Sequence, residues 1–181
     1  MPTAISPLTQ ASLAEAVANA ARQYYCPGLS AAVYVNGETM CATAGVLNLA
    51  TQEPVTPHAL FQIGSVSKLV TAALVMQLVE AGKIGLDQSV SALLGGAPIG
   101  KGEFSARVTV RHLLTHMSGQ DGDLFEDTGR DDDCIARNAV LCRDLDFLCA
   151  PGLHYNYCNA GYCLLGRIVE TQTGVCFEEA A

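Results

Sequence analysis

Apolar positions follow two different rhythms along the first quarter of the chain. In "SLAEAVANAARQYY", residues 12–25, Leu13, Val17, Ala20, Ala21 and Tyr24 recur at helical spacing, Ser12 and Glu15 form a capping-box pattern, and Cys26-Pro27-Gly28 ends the run. The rhythm then changes to alternation. "LSAAVYV" and "TMCATAGV" flank Asn36-Gly37-Glu38, and Asn-Gly between two β-prone runs predicts a tight hairpin over residues 29–46.

From Val66 to Ala81 the run "VSKLVTAALVMQLVEA" is apolar on nearly every side and stops at Gly82, which predicts a central buried helix. Lys68, Gln77 and Glu80 interrupt it, and it is short for a bilayer span. Further on, Thr109 can cap "VRHLLTHM", and the acidic stretch 121–133 makes a polar connection. "CIARNAVLCRDLDFL" resumes helical spacing up to Pro151-Gly152. Asn159 can cap "AGYCLLGRIVETQT", Gly174 stops it, and the closing "VCFEEAA" begins another helical turn. No internal repeat is present.

Composition narrows the function classes. The chain has 181 residues, half of them apolar, enough for a sizeable core in one domain or one large piece of a bigger one. A net charge of -8 with no basic patch argues against nucleic acid and against anionic membranes as partners. The first twenty residues lack a basic segment followed by an unbroken apolar one, so they do not read as a secretory leader, and the expected location is cytoplasmic. The eight cysteines form no CxxC pairs and fall in helical and strand-like runs, which predicts reduced, mostly buried thiols.

Candidate chemistry starts at "FQIGSVSK", residues 61–68. Ser65 and Lys68 stand at i and i+3 on one helical face, just after Gly64, where the chain can turn sharply. The positive end of a helix disfavours an ammonium and favours a neutral amine, and a neutral amine beside a hydroxyl is an activated nucleophile. Unpaired N–H groups at the same end can donate to an oxyanion formed on a substrate carbonyl. The four-letter pattern alone is weak; its place at the head of an apolar helix strengthens it. The second element is "YNYCNAGY", where Tyr157 and Asn159 precede a helix. A phenol at such a junction can relay protons, and an amide two residues later can bind a substrate carbonyl. The structural alternative is a packed aromatic with Asn159 as a helix cap.

"PVTPHALFQIGSVSK", "VTVRHLLTHMSG" and "PGLHYNYCNAGYCLLGRIVE" together resemble three consecutive landmarks of the serine β-lactamase-like, penicillin-binding-protein-like family, in the branch of class C β-lactamases, D-alanyl-D-alanine peptidases and related esterases. The resemblance implies an α+β, β-lactamase/transpeptidase-like fold with Ser65 as the acylated nucleophile, Lys68 as its proton partner, Tyr157 as acid/base and Asn159 as a substrate-amide ligand. It implies acyl transfer on a small-molecule ester or amide, with no metal or organic cofactor. His112, His116 and Ser118 fall in a segment that looks like family scaffold and receive no catalytic role.

The family pattern also has a third motif, Lys-Thr-Gly or a His-containing variant, on a strand well after Y-x-N. This sequence has no lysine after Lys101 and no histidine after His154. The expected fold is therefore incomplete: an N-terminal helix and hairpin (residues 1–64, part of an α/β lobe) plus a mostly helical lobe (65–181), with the C-terminal sheet strands absent. Such a chain is expected to be weakly active or inactive alone. The alternative is a non-catalytic fragment or binding module that needs a complementary C-terminal chain, and an open sheet edge offers a route to self-association. Two metal readings fail on their residues. His112 and His116 lack the glutamate that a zinc-peptidase helix carries, since Leu113 stands there, and Phe125 and Glu126 occupy the ligand and glycine positions of a calcium loop.

Overall fold

The hairpin turns where Asn-Gly demands it. In the computed structural model, which describes residues 8–181, Asn36 and Gly37 both take left-handed φ, 52° and 86°, the pair a two-residue turn needs to follow strand twist. The first seven residues, part of the stretch read above as lacking a leader, lie outside the described residues. Strands β1 (Gly28–Val35) and β2 (Glu38–Gly45) pair antiparallel with Ala31 opposite Ala42 and Val33 opposite Met40. Helix α1 (Gln10–Gln23) covers one face of this ribbon. Its Leu13 and Val17 meet Ala42, with Leu29, Ala31, Val33, Met40 and Ala44 around them, every second residue of each strand as the pleat requires. Among the described residues the sheet has these two strands.

The helix begins one turn earlier than the sequence pattern suggests. Thr9, not Ser12, is the cap: its hydroxyl accepts the Ser12 N–H at 3.1 Å, and Ser12 Oγ accepts the Thr9 N–H at 2.9 Å. Both residues can cap, and the earlier choice lets Gln10 Nε2 donate to the Cys41 carbonyl at 2.7 Å. Tyr24, placed on the apolar stripe, ends up exposed just beyond the helix.

Two compact units divide the chain, the first ending at Gln62 and the second running from Ile63 to Ala181. The second is helical. A short 3₁₀ turn, Gly64–Val66, leads into α2 (Ser67–Glu80); α3 (Val90–Leu93), α4 (Val110–Leu114), α5 (Cys134–Leu141), α6 (Asn159–Thr173) and α7 (Phe177–Ala180) follow. The centre is α6, not α2. Ala160, Leu164, Leu165, Ile168 and Val169 of α6 are buried among Val75, Leu78, Val90, Val110 and Leu113. Helix α2 buries only Thr71, Val75 and Leu78, one face at i, i+4 and i+7, while Leu69 is 71% exposed. The sequence pattern cannot separate these cases because α2 is apolar all round, and only one of its sides meets α6.

The helix expected over residues 134–148 stops at Leu141, continues as a 3₁₀ turn to Asp144, and then runs extended to pair Phe147 with Gln120. That pairing anchors the loop after α4: Leu148 donates to the Gly119 carbonyl, Asp121 to the Asp146 carbonyl. Gly174, at φ 81°, ends α6 as its sequence predicts. All eight cysteines are unpaired; Cys142 and Cys158 are buried, five are half-buried and Cys41 is exposed, so the thiols are less buried than their apolar surroundings suggest. Among the described residues no helix is long and apolar enough to cross a membrane.

Candidate active site

Ser65 stands in the 3₁₀ turn rather than in α2 itself, and Lys68 is the second residue of the helix. Lys68 Nζ lies 3.2 Å from Ser65 Oγ, so the i, i+3 relation read from the sequence becomes a contact. The same nitrogen donates to Asn159 Oδ1 at 2.8 Å, across 91 residues of sequence. Asn159 Nδ2 in turn donates to Asp123 Oδ1 at 2.9 Å. Both ends of the amide are therefore engaged, and their donor and acceptor partners fix which end is oxygen.

Asn159 is free for this because it is not the helix cap. Cys158 takes the cap position, its Sγ accepting the Gly161 N–H at 3.2 Å. The loop 119–124 closes over that end: Ala160 N–H donates to the Gly122 carbonyl at 2.9 Å. The approach is so close that a Cβ on Gly122 would meet Cys158 Sγ at 2.0 Å, which requires glycine there. This contact delivers Asp123 to Asn159.

Tyr157 precedes the cap, 41% exposed, with Lys68 Nζ 4.8 Å from its ring centroid. The pull of Lys68 first and Ser65 second holds the Tyr157 phenol below its ordinary pKa, and desolvation opposes this. The hydroxyl reaches neither partner in the geometry of a formed hydrogen bond, as is common before substrate closes a site. Tyr162, one turn into α6, lies under Lys68 at 5.5 Å and donates to the Leu114 carbonyl at 3.0 Å. Burial first, then the neighbouring Tyr157 and Tyr155, push its pKa up.

All four residues singled out in the sequence thus occupy one locality of the second unit. A cavity of about 330 Å³ is lined by two of them, Lys68 and Asn159, with Ser67 also on its polar side and Leu124, Ile135 and Phe177 among its apolar walls. A larger one, about 430 Å³ and lined by Leu93, Leu94, Arg143 and Arg167, includes none of the four, so size alone is a poor guide to the chemistry here. Among the described residues no cluster of His, Cys, Asp or Glu is arranged to hold a metal ion.

Two neighbours escaped the sequence reading. Asp123 sits in an acidic stretch that reads as solvated, and only the Gly122 contact reveals its use. His116, assigned to scaffold, packs its ring on Tyr157 with centroids 4.2 Å apart.

The family pattern described as Beta-lactamase matches residues 13–181. The chain belongs to that family. Among relatives, the chain is 44% identical to "Penicillin-binding protein 4" of Amycolatopsis lactamdurans over 158 residues, which cover 87% of this chain and 42% of that protein. It is 32% identical to "Esterase EstB" of Burkholderia gladioli over 200 residues, covering 96% of this chain and 48% of that one. A solved class C β-lactamase superposes with a TM-score of 0.77 at 29% identity, covering 97% of this chain and 48% of that structure. The chain spans less than half the length of these Beta-lactamase-family relatives, and its α+β fold is the family's.

Proposed function

We propose that these 181 residues carry the acylation part of a serine hydrolase for small esters or amides, and that turnover also needs the remainder of the family fold, which they do not span. The observation that carries the reading is the continuous linkage Ser65–Lys68–Asn159, 3.2 Å and 2.8 Å, with the Tyr157 phenol facing it. In this reading the Lys68 amine takes the Ser65 proton as Oγ attacks the substrate carbonyl, and a tetrahedral adduct forms. Tyr157 then protonates the leaving oxygen or nitrogen, the C–O or C–N bond breaks, and the acyl group remains on Ser65. Asn159 exchanges one of its present partners for the substrate carbonyl. A water then gives a proton to the Tyr157 phenolate and attacks the acyl carbon, the bond to Ser65 Oγ breaks as Lys68 returns its proton to that oxygen, and the acid is released.

Two features favour the need for a complement. Ser65 is exposed. The third motif is not among these 181 residues, and an oxyanion donor of the kind it supplies is worth on the order of a hundred- to a thousandfold in turnover. Relatives named as a penicillin-binding protein and an esterase support acyl chemistry without choosing the acyl group.

The test labels the chain with a fluorophosphonate and follows hydrolysis of a chromogenic ester and a cephalosporin, alone and after adding the part of the Amycolatopsis protein that this chain does not match. Label on Ser65, slow turnover alone, faster turnover with the complement, and loss of both in Ser65→Ala are the expected results. Absence of label would sink acylation at Ser65. Unaided turnover at a rate the complement does not raise, abolished in Ser65→Ala, would sink the need for a partner.

A further inference from the structure

His116 holds Tyr157 from three directions. The residue follows α4 at φ 57°, a left-handed backbone that aims its carbonyl and its ring at the same short segment. The carbonyl accepts the Asn156 N–H at 2.9 Å, and Nδ1 accepts the Cys158 N–H at 3.1 Å, so the residues on either side of Tyr157 are both tied to His116. Between those two bonds the Tyr157 ring stacks on the imidazole, 4.2 Å between centroids at 28°. Tyr162 and Tyr155 pack against the same imidazole at 5.0 Å and 5.8 Å, and the histidine is only 9% exposed.

We propose that His116 is the positioning residue of the candidate site: its carbonyl and Nδ1 clamp the backbone on both sides of Tyr157 while its ring sets the phenol beside Lys68 and Ser65. The inference rests on the acylation reading for its effect on reaction, but the clamp itself is a statement about Tyr157. An acceptor Nδ1 places the proton on Nε2, so the clamp requires the neutral ring. Burial first and Lys68 second keep His116 below its ordinary pKa and hence neutral. The three demands, a tolerated left-handed backbone, an acceptor near the Cβ, and a flat ring, are met together by histidine. Asparagine meets the first two and phenylalanine only the third.

The substitutions follow from that division. His116→Asn keeps the acceptor and loses the ring; His116→Phe keeps the ring and loses the acceptor. The readout is the titration of Tyr157, followed by tyrosinate absorbance as the difference between each protein and the same protein carrying Tyr157→Phe. In the parent, Tyr157 titrates below an ordinary phenol. In both variants it moves up toward that of an ordinary phenol, and labelling of Ser65 by the fluorophosphonate slows by on the order of a hundredfold, the scale for a misplaced reacting group. An unchanged Tyr157 titration in either folded variant overturns the proposal. His116→Asn carries the test if His116→Phe does not fold; failure of His116→Asn to fold would make His116 a residue of the fold and overturn a positioning role. If the parent's Ser65 takes no label, the acylation reading fails, and the Tyr157 titration still decides the clamp.

Discussion

Helices α2 and α6 have nearly the same length, 14 and 15 residues, and each presents half of the candidate site at its N-terminal end, yet they bury very different parts of themselves. α6 buries eight residues and α2 buries three. The more apolar of the two by composition is therefore the less covered. Packing, not average hydropathy, makes α6 central. Its Gly161 lets α4 come close, with an added Cβ only 3.3 Å from Leu113. α2 contains no glycine, and on its outer side Leu69 and Met76 remain exposed.

The largest expected effect breaks the comparison on the α6 side. Leu164 is wholly buried in the main core, so Leu164→Ala removes buried apolar volume and leaves a cavity that the closely packed neighbours cannot fill. The expected cost is about 2–5 kcal/mol, read from the urea unfolding of the second unit. A cost below that of an ordinary surface substitution would show that α6 is not its centre.

The difference between the helices also marks where sequence reading succeeds. Asn36-Gly37 and Gly174 were legible because a left-handed backbone is a local demand that few residues meet. The pairing of Ser65 with Lys68 was legible for the same reason, being an i, i+3 relation. The caps at Thr9 and Cys158 were not, since several nearby side chains can cap and a contact elsewhere selects one: Gln10 with Cys41, Gly122 against Cys158. His116 was invisible because its meaning lies in a partner 42 residues away. The rank of α2 was misread because an all-round apolar helix states that it will be covered without saying by what.

A smaller effect comes from acid. His112 and His116 both accept a backbone N–H through Nδ1, from Thr109 at 3.2 Å and from Cys158 at 3.1 Å, so protonation would set donor against donor. Desolvation first lowers the pKa of each below 6.5; Lys68 adds to this at His116, whereas Arg111 lowers and Asp87 raises that of His112. Tyr155, Tyr157 and Tyr162 are the other titratable groups around His116. With both folded values depressed, the unfolded chain binds protons first as pH falls, so these two groups leave stability intact above about pH 6.5 and withdraw it progressively as pH drops from there through the folded values. The urea midpoint of the second unit, measured from about pH 8 to about pH 5, should fall on the acid side, with a shallower slope in His116→Asn. A midpoint that rises into acid over that window would contradict neutral, acceptor histidines at both places.

The smallest expected effect on stability tests the outer face of α2 and connects it to the need for a complement. Leu69→Gln and Met76→Gln replace side chains that are 71% and 44% exposed with a residue of similar helix propensity and no charge to disturb Lys68. In the chain alone each should change unfolding free energy by less than about 0.5 kcal/mol, in contrast to Leu164→Ala on α6. Labelling of Ser65 in the chain alone should also stay as it was, because neither side chain takes part in the hydrogen bonds of the Ser65–Lys68–Asn159 linkage. The double variant should nevertheless lose much of the turnover restored by the complement, since a contiguous apolar face of this kind gains most when another chain removes it from water. A loss of several kcal/mol in the chain alone would mean that the face is already covered. Complemented turnover equal to that of the parent would mean that the added part docks elsewhere.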